Sequence, residues 1–192
     1  MSELKKHIIE TFGFTKSEFE NIQDFFQPMN IKKGEFFLKE GQYVKQLGFV
    51  EKGILREFLY VNEKKVTKWF STSGYFAVDL SGFLFDQKSK VNYQAITEVE
   101  LLILSKDNYD KISDKITRWD KLEKMFLAKC FSVLENRVIS HLALNAEERY
   151  NQLFAFNPQI FNEAPLNQIA SMLGMSAETL SRIRKKQTKM NS

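Results

Sequence analysis

The sequence predicts an α+β protein: an N-terminal β-roll (a double-stranded jelly roll), one long dimerisation helix, and a C-terminal all-α helix-turn-helix domain. Three observations carry that prediction. From Met29 to Ser105, short strand-like apolar runs alternate with glycines. From Ile116 to Leu144 there is no Gly or Pro, and two apolar stripes run along the segment. From Pro165 to Lys186, small, apolar and turn residues stand where two short crossing helices need them. The expected boundaries are residues 1–112 for the β-roll, 113–144 for the long helix and 145–192 for the helix-turn-helix domain.

Residues 3–27 read as helical. Leu4, Ile8 and Phe12, then Phe19, Ile22, Phe25 and Phe26, recur at helix spacing, with a break near Gly13. Thr15 followed by Glu18 is a capping-box pair for the second piece. The glycine-punctuated stretch comes next: Ile31, Gly34, Phe36–Leu38, Gly41, Leu47–Val50, Gly53, Ile54–Leu55, Phe58–Tyr60, Val66, Trp69–Phe70, Gly74. Turn signals at this interval suit a closed antiparallel architecture. Tyr93–Ile96 and Leu101–Leu104 read as its closing strands. A short helix is expected over 107–112. On the long helix, Trp119, Leu122, Phe126, Cys130 and Val133 form one stripe, and Leu127, Phe131, Leu134, Val138 and Leu142 form another. A surface helix needs one apolar stripe. A second one calls for cover from a second side, such as a partner helix. A helix over 146–156 ends at Asn157–Pro158. Phe156 to Ala164 leaves little room for a β-hairpin.

The final motif is the most specific. Pro165 can open its first helix, where a missing N–H costs nothing. Ala170 is the small contact residue, Gly174 the turn and Ser176 the N-cap of the second helix. Ile169, Leu173, Met175, Leu180 and Ile183 form the inner faces. Glu178, Ser181, Arg182, Lys185 and Lys189 recur on the opposite side of the second helix. A polar and basic stripe of this kind suits the major groove of double-stranded DNA. The residues expected to contact DNA are Ser176, Glu178, Thr179, Ser181, Arg182, Lys185 and Lys186. Charge agrees with this placement. Five basic residues against Glu178 alone put the whole formal excess of +4 in the segment after Glu163.

Composition excludes several classes. At 43% apolar and 27% charged, the chain reads as a globular protein with no bilayer-spanning run. Met1 to Lys6 lack a secretory apolar core. Cys130 is the only cysteine, which rules out an internal disulfide and suits a reducing cytoplasm. No nucleophile elbow, P-loop, dinucleotide fingerprint or metal-ligand spacing is present. No catalytic residue, metal or cofactor is therefore expected, and no membrane partner.

The order of parts resembles the cAMP receptor protein/Fnr superfamily of transcription regulators. Three stretches carry the resemblance: Lys33-Gly34-Glu35 through Lys52-Gly53; Gly74–Leu80 with Ala95–Ser105; and Ser176–Arg182. Glu178-x-x-Ser181-Arg182 looks like the reading motif of the Fnr-type branch. The resemblance implies that Arg182 pairs with a guanine, Glu178 accepts from a cytosine amino group, and Ser181 touches a neighbouring base. It implies a homodimer whose recognition helices enter successive major grooves. RNA polymerase and an unidentified small-molecule effector are further partners that it implies. The effector pocket would involve Gly74, Phe76, Val78, Asp79, Leu80, Ser89, Lys90 and Leu134.

The chain also departs from the cAMP-binding pattern. Val78-Asp79-Leu80 stands where that pattern has Gly-Glu-Leu. Ser89 and Lys90 stand where it has an arginine followed by a hydroxyl residue. Leu134 and Glu135 replace adenine-contacting hydroxyl residues. Losing the guanidinium removes the partner of a cyclic phosphate. The expectation is a homodimeric, sequence-specific DNA-binding regulator that does not respond to cAMP. A competing expectation is an effector- or protein-binding module with a vestigial helix-turn-helix.

Overall fold

The computed structural model describes residues 3–190, with the side chains of residues 3–187. Eight strands form two four-stranded antiparallel sheets. The first runs β1 (Phe26–Ile31), β8 (Val99–Ser105), β3 (Gln46–Lys52), β6 (Phe76–Ala77). The second runs β2 (Phe36–Leu38), β7 (Asn92–Ala95), β4 (Leu55–Val61), β5 (Lys64–Ser71). Phe49, Val50 and Leu101 of the first sheet share one buried core with Leu55, Tyr93 and Ala95 of the second. Helix α1 (Glu3–Phe12) adds Leu4, Ile8 and Phe12 to it. Its 3.6-residue spacing puts those three on one face.

The helical expectation for residues 3–27 is corrected at its end. After α1 come α2 (Lys16–Glu20) and a 3-10 turn at Gln23–Phe25, and Phe26 already opens β1. β1 contains Pro28, which cannot donate to a ladder, and it sits at the sheet edge where that donor is not needed. Thr15 and Glu18 form the capping box of α2. Glu18 also accepts two hydrogen bonds of 2.6 Å from Arg118. The Arg118 guanidinium holds the Glu18 carboxyl down at about 2.

Helix α3 (Leu80–Leu84) lies between the sheets' later strands. The short helix expected over 107–112 is two pieces, α4 (Lys106–Asp110) and α5 (Ile112–Lys115). The long helix α6 spans Trp119–Ala143 and starts later than Ile116, because buried Ile116 caps the end of α5. Leu122 of α6 is buried, and Phe126 and Cys130 are half-buried against the β domain. Phe131, Leu134, Val138 and Leu142 are exposed, Leu142 at 82%. Among the described residues, no helix is long and apolar enough to cross a membrane.

Four helices close the chain: α7 (Ala146–Phe156), α8 (Gln159–Glu163), α9 (Leu166–Met172) and α10 (Ala177–Met190). Asn145 starts α7 with a second capping box. The segment between α7 and α9 is the short α8, and its Ile160 and Phe161 are buried. These helices sit on the second sheet. Ile54, Phe70 and Ile96 of the β domain share a buried cluster with Leu153, Ile169 and Met172. The Thr67 N–H donates to Ser171 Oγ at 3.0 Å, and Asn157 Nδ2 donates to Thr72 Oγ1 at 2.8 Å.

Gly53 turns β3 into β4 at φ +89°, and a Cβ there would lie 2.1 Å from the Glu98 carbonyl oxygen. Gly34 has the same φ and open space around it. Gly34→Ala should cost about 1–2 kcal/mol from backbone strain alone. Gly53→Ala should cost roughly 1–3 kcal/mol more, from the added clash. Urea unfolding of the two variants checks the difference.

Candidate functional site

The first candidate surface is built by α9 and α10. Helix α9 ends in Gly174 at φ +65°. The Met175 N–H donates to the Ala170 carbonyl at 3.0 Å and the Gly174 N–H to the Ser171 carbonyl at 3.2 Å, the two bonds of a Schellman stop. Ser176 then accepts the Thr179 N–H at 3.1 Å and starts α10. Ile169, Ala170, Leu180 and Ile183 are buried between the two helices. Arg149 holds the assembly to the end of α6, donating to the carbonyls of Leu173 at 2.9 Å and Leu144 at 2.6 Å.

That burial fixes which side of α10 faces outward. Glu178, Arg182 and Lys185 are exposed in one row, with half-buried Thr179 and Ser181 beside it and exposed Ser176 at its head. Lys186, also exposed, stands beside this row. Its Nζ pairs with both Glu147 carboxylate oxygens, at 2.9 and 3.0 Å, so it reaches back to α7. One residue beyond Lys185 is about 100° further round the helix, which turns Lys186 off the row. The side chain of Lys189 lies outside the described residues.

The second candidate is a cavity of about 500 Å³ between the β domain and α6. A volume of this order suits a small organic ligand. Of the expected pocket residues, Gly74, Phe76, Val78, Leu80 and Leu134 line it. Asp79, Ser89 and Lys90 are not among its lining residues. The Asp79 carboxylate instead caps α3, accepting from the Gly82 N–H at 3.2 Å and the Ser81 hydroxyl at 2.9 Å. It also accepts from the Ser89 hydroxyl and the Lys90 N–H, each at 3.1 Å. Burial pushes this carboxyl upward, but the donors, led by the Lys90 and Gly82 N–H groups, outweigh it and hold it below its ordinary value.

The charged groups of the cavity are ones the sequence reading missed. Glu57 is buried and accepts from Lys68 Nζ at 2.5 Å. Arg137 of α6 donates to the Lys68 carbonyl and lies over the Trp69 ring, 5.6 Å from its centre. Tyr93 is buried and donates to the Val78 carbonyl at 3.1 Å. A β-bulge explains the pairing. Glu57 opposes Trp69 and Phe58 opposes Thr67, so Lys68 is the extra residue and joins Trp69 on the cavity side. A signal was present: Glu57 alternates with Leu55 and Leu59 on an inward strand face, where a charge needs a reason. Cys130 lines the cavity as a half-buried thiol that burial pushes up, and burial lowers His7. Among the described residues, no group of three or more His, Cys, Asp or Glu side chains is placed to hold a metal ion.

No protein-family model matches the chain, and no curated protein sequence matches it. Solved structures do. FixK2 from Bradyrhizobium japonicum superposes with a TM-score of 0.72 at 15% identity, over 86% of each chain. The c-di-GMP responsive global regulator CLP of Xanthomonas campestris gives 0.67 at 14%, over 92% of this chain and 93% of that one. The cAMP-bound protein PfPKA-R gives 0.52 at 24%, over 57% of this chain, which spans only 40% of it. These likenesses are of fold: a cyclic-nucleotide-binding β-roll followed by a helical domain.

Burial raises the Glu57 carboxyl above its ordinary 4.5, and Lys68 opposes that rise. A group raised in the folded state stabilises fully below its unfolded value, and that share is lost as pH climbs through the folded value. Glu57→Gln lacks this loss. The thermal midpoint of the parent minus that of the variant should therefore fall between pH 4.5 and about pH 7, as thermal unfolding at both pH values will show.

Proposed function

We propose that this protein is a sequence-specific DNA-binding transcription regulator of the cAMP receptor protein/Fnr type, that it acts as a homodimer, and that it does not answer to cAMP. One observation carries the reading: α9 and α10 cross through a glycine turn with their apolar faces buried, and the exposed row on α10 is Glu178, Arg182, Lys185. As a helix-turn-helix, α10 would lie in the major groove. Arg182 would donate two hydrogen bonds to a guanine, Glu178 would accept from a cytosine amino group, and Lys185 would sit against phosphate. The fold likeness to FixK2 and CLP supports the same reading.

The dimer rests on α6. Phe131, Leu134, Val138 and Leu142 recur at helical spacing and lie open. A second copy of α6 packed along them would bury that stripe and set two α10 helices about 34 Å apart, one turn of DNA. Indifference to cAMP rests on the stretch from Val78 to Lys90. Its four donors already serve the Asp79 carboxylate, and no arginine is present between Leu80 and Asn92 to pair with a cyclic phosphate. No catalytic role forms part of this reading.

Selection of bound sequences from random DNA, using the purified protein, tests the function. It should return a two-fold related site with half-sites about one turn apart. Arg182→Ala should weaken the selected site by about 1–3 kcal/mol and relax preference at one G·C pair. Unchanged affinity would remove α10 as the reading helix. Light scattering tests the assembly, with an expected mass of about 45 kDa against 22.5 kDa for the chain. Val138→Glu should shift it to monomer, because a charge buried in a helix pair has no partner there.

A further inference from the structure

We propose that the cavity between the β domain and α6 binds a small, largely apolar molecule with a single carboxylate head, anchored by Arg137 and Lys68. The proposal goes beyond the regulator reading, which supplies only its consequence for DNA affinity.

The charge balance of the cavity selects the head group. Three cations face it, half-buried Arg137 and the exposed Lys68 and Lys129. One carboxylate faces it, Glu57, already taken by Lys68 at 2.5 Å. Among the described residues, the Arg137 guanidinium donates one hydrogen bond, to the Lys68 carbonyl, and stacks on Trp69. A guanidinium carries five N–H donors in a fork that matches a carboxylate or a phosphate, and the ring-lined walls favour the carboxylate because its head is the smaller and less strongly charged of the two. Arg137 is half-buried, and a partly desolvated cation left under-compensated gains from an incoming anion. The same desolvation already lowers Arg137, with Glu57 opposing it.

The walls select the body. Phe12, Trp69, Tyr75, Phe76 and Phe126 line the cavity with rings, and Val78, Leu80 and Leu134 add aliphatic surface. Phe76 and Phe126 meet edge to face at 5.4 Å, and Phe12 meets Phe126 the same way at 5.3 Å. Thr11, Ser71, Ser73 and Tyr75 also line it, yet most of the exposed wall is apolar, and a ribose or nucleobase lying against that wall would leave donors without polar partners. An alkyl or aryl chain needs none.

The anchor is also well placed to be felt elsewhere. Lys68 is the bulged residue of β5, and the preceding Thr67 N–H is the group that holds Ser171 of α9. Arg137 belongs to α6. A ligand head between them would touch both the long helix and the strand on which the C-terminal helices sit.

Titration calorimetry on DNA-free protein with decanoate, decanol and cAMP tests the proposal. Decanoate should bind at least about tenfold tighter than decanol, and cAMP should not bind. Arg137→Gln and Lys68→Met should each remove that preference while leaving decanol affinity unchanged, with circular dichroism confirming the fold. Equal affinity for acid and alcohol, binding of neither, or a preference that survives both substitutions would overturn it. Tighter binding of cAMP than of decanoate would also overturn it. If a variant does not fold, the acid-to-alcohol comparison on the parent protein still decides. Because no DNA is present, a failed DNA selection leaves the titration result standing.

Discussion

Strand β5 is packed on both faces along its C-terminal half, with the Lys68 side chain left half exposed, and the arrangement of the protein follows from that constraint. Lys68, Trp69 and Ser71 look into the cavity under α6, while Thr67 and Phe70 meet the C-terminal helices. A strand covered on both sides normally reads as a continuous apolar run. β5 instead carries Lys68 and Trp69 as neighbours, and the bulge makes this possible by turning two consecutive side chains the same way. Strip the C-terminal helices away and Ile54, Phe70 and Ile96 would stand in water as an apolar patch. The β domain and the C-terminal helices therefore share a core as well as a chain.

Helix α6 has a similar double duty. Leu122, Phe126 and Cys130 close the β domain, and the opposite side carries Phe131, Val138 and Leu142 in the open. Two apolar sides leave little net amphipathicity, so the helix owes its length to its Gly- and Pro-free sequence and to the packing of one flank on the β domain. Leu134 stands at the seam, half exposed and also part of the cavity wall.

The sequence was most readable where one local rule decides the structure. Thr15 with Glu18, Gly174 with Ser176, and the glycines that punctuate the strands each act within a few residues, and each is found in the turn or cap that its chemistry requires. Reading failed where a distant partner decides. Nothing near Pro28 says that its strand is an edge, and the periodicity of Phe25 and Phe26 continues the helical pattern past the real end of the helix. Asp79 and Ser89 resemble parts of a phosphate-binding stretch, but a hydrogen bond across a ten-residue gap ties them to each other. Lys186 looks like part of a basic run until Glu147, 39 residues earlier, is brought alongside it. Glu57 and Arg137 come together only through the bulge in β5 and the course of α6.

The Asp79 cluster has a consequence in mass action. The carboxylate that fills the four donors is attached to the same short stretch of chain that supplies them. A tethered group over so short a span is present at an effective concentration in the millimolar range or above, whatever the surroundings contain. Any free phosphate or phosphate ester must compete against that standing concentration and be stripped of its own water to do so. The stretch is closed by its own carboxylate, and a free competitor must approach that concentration to open it.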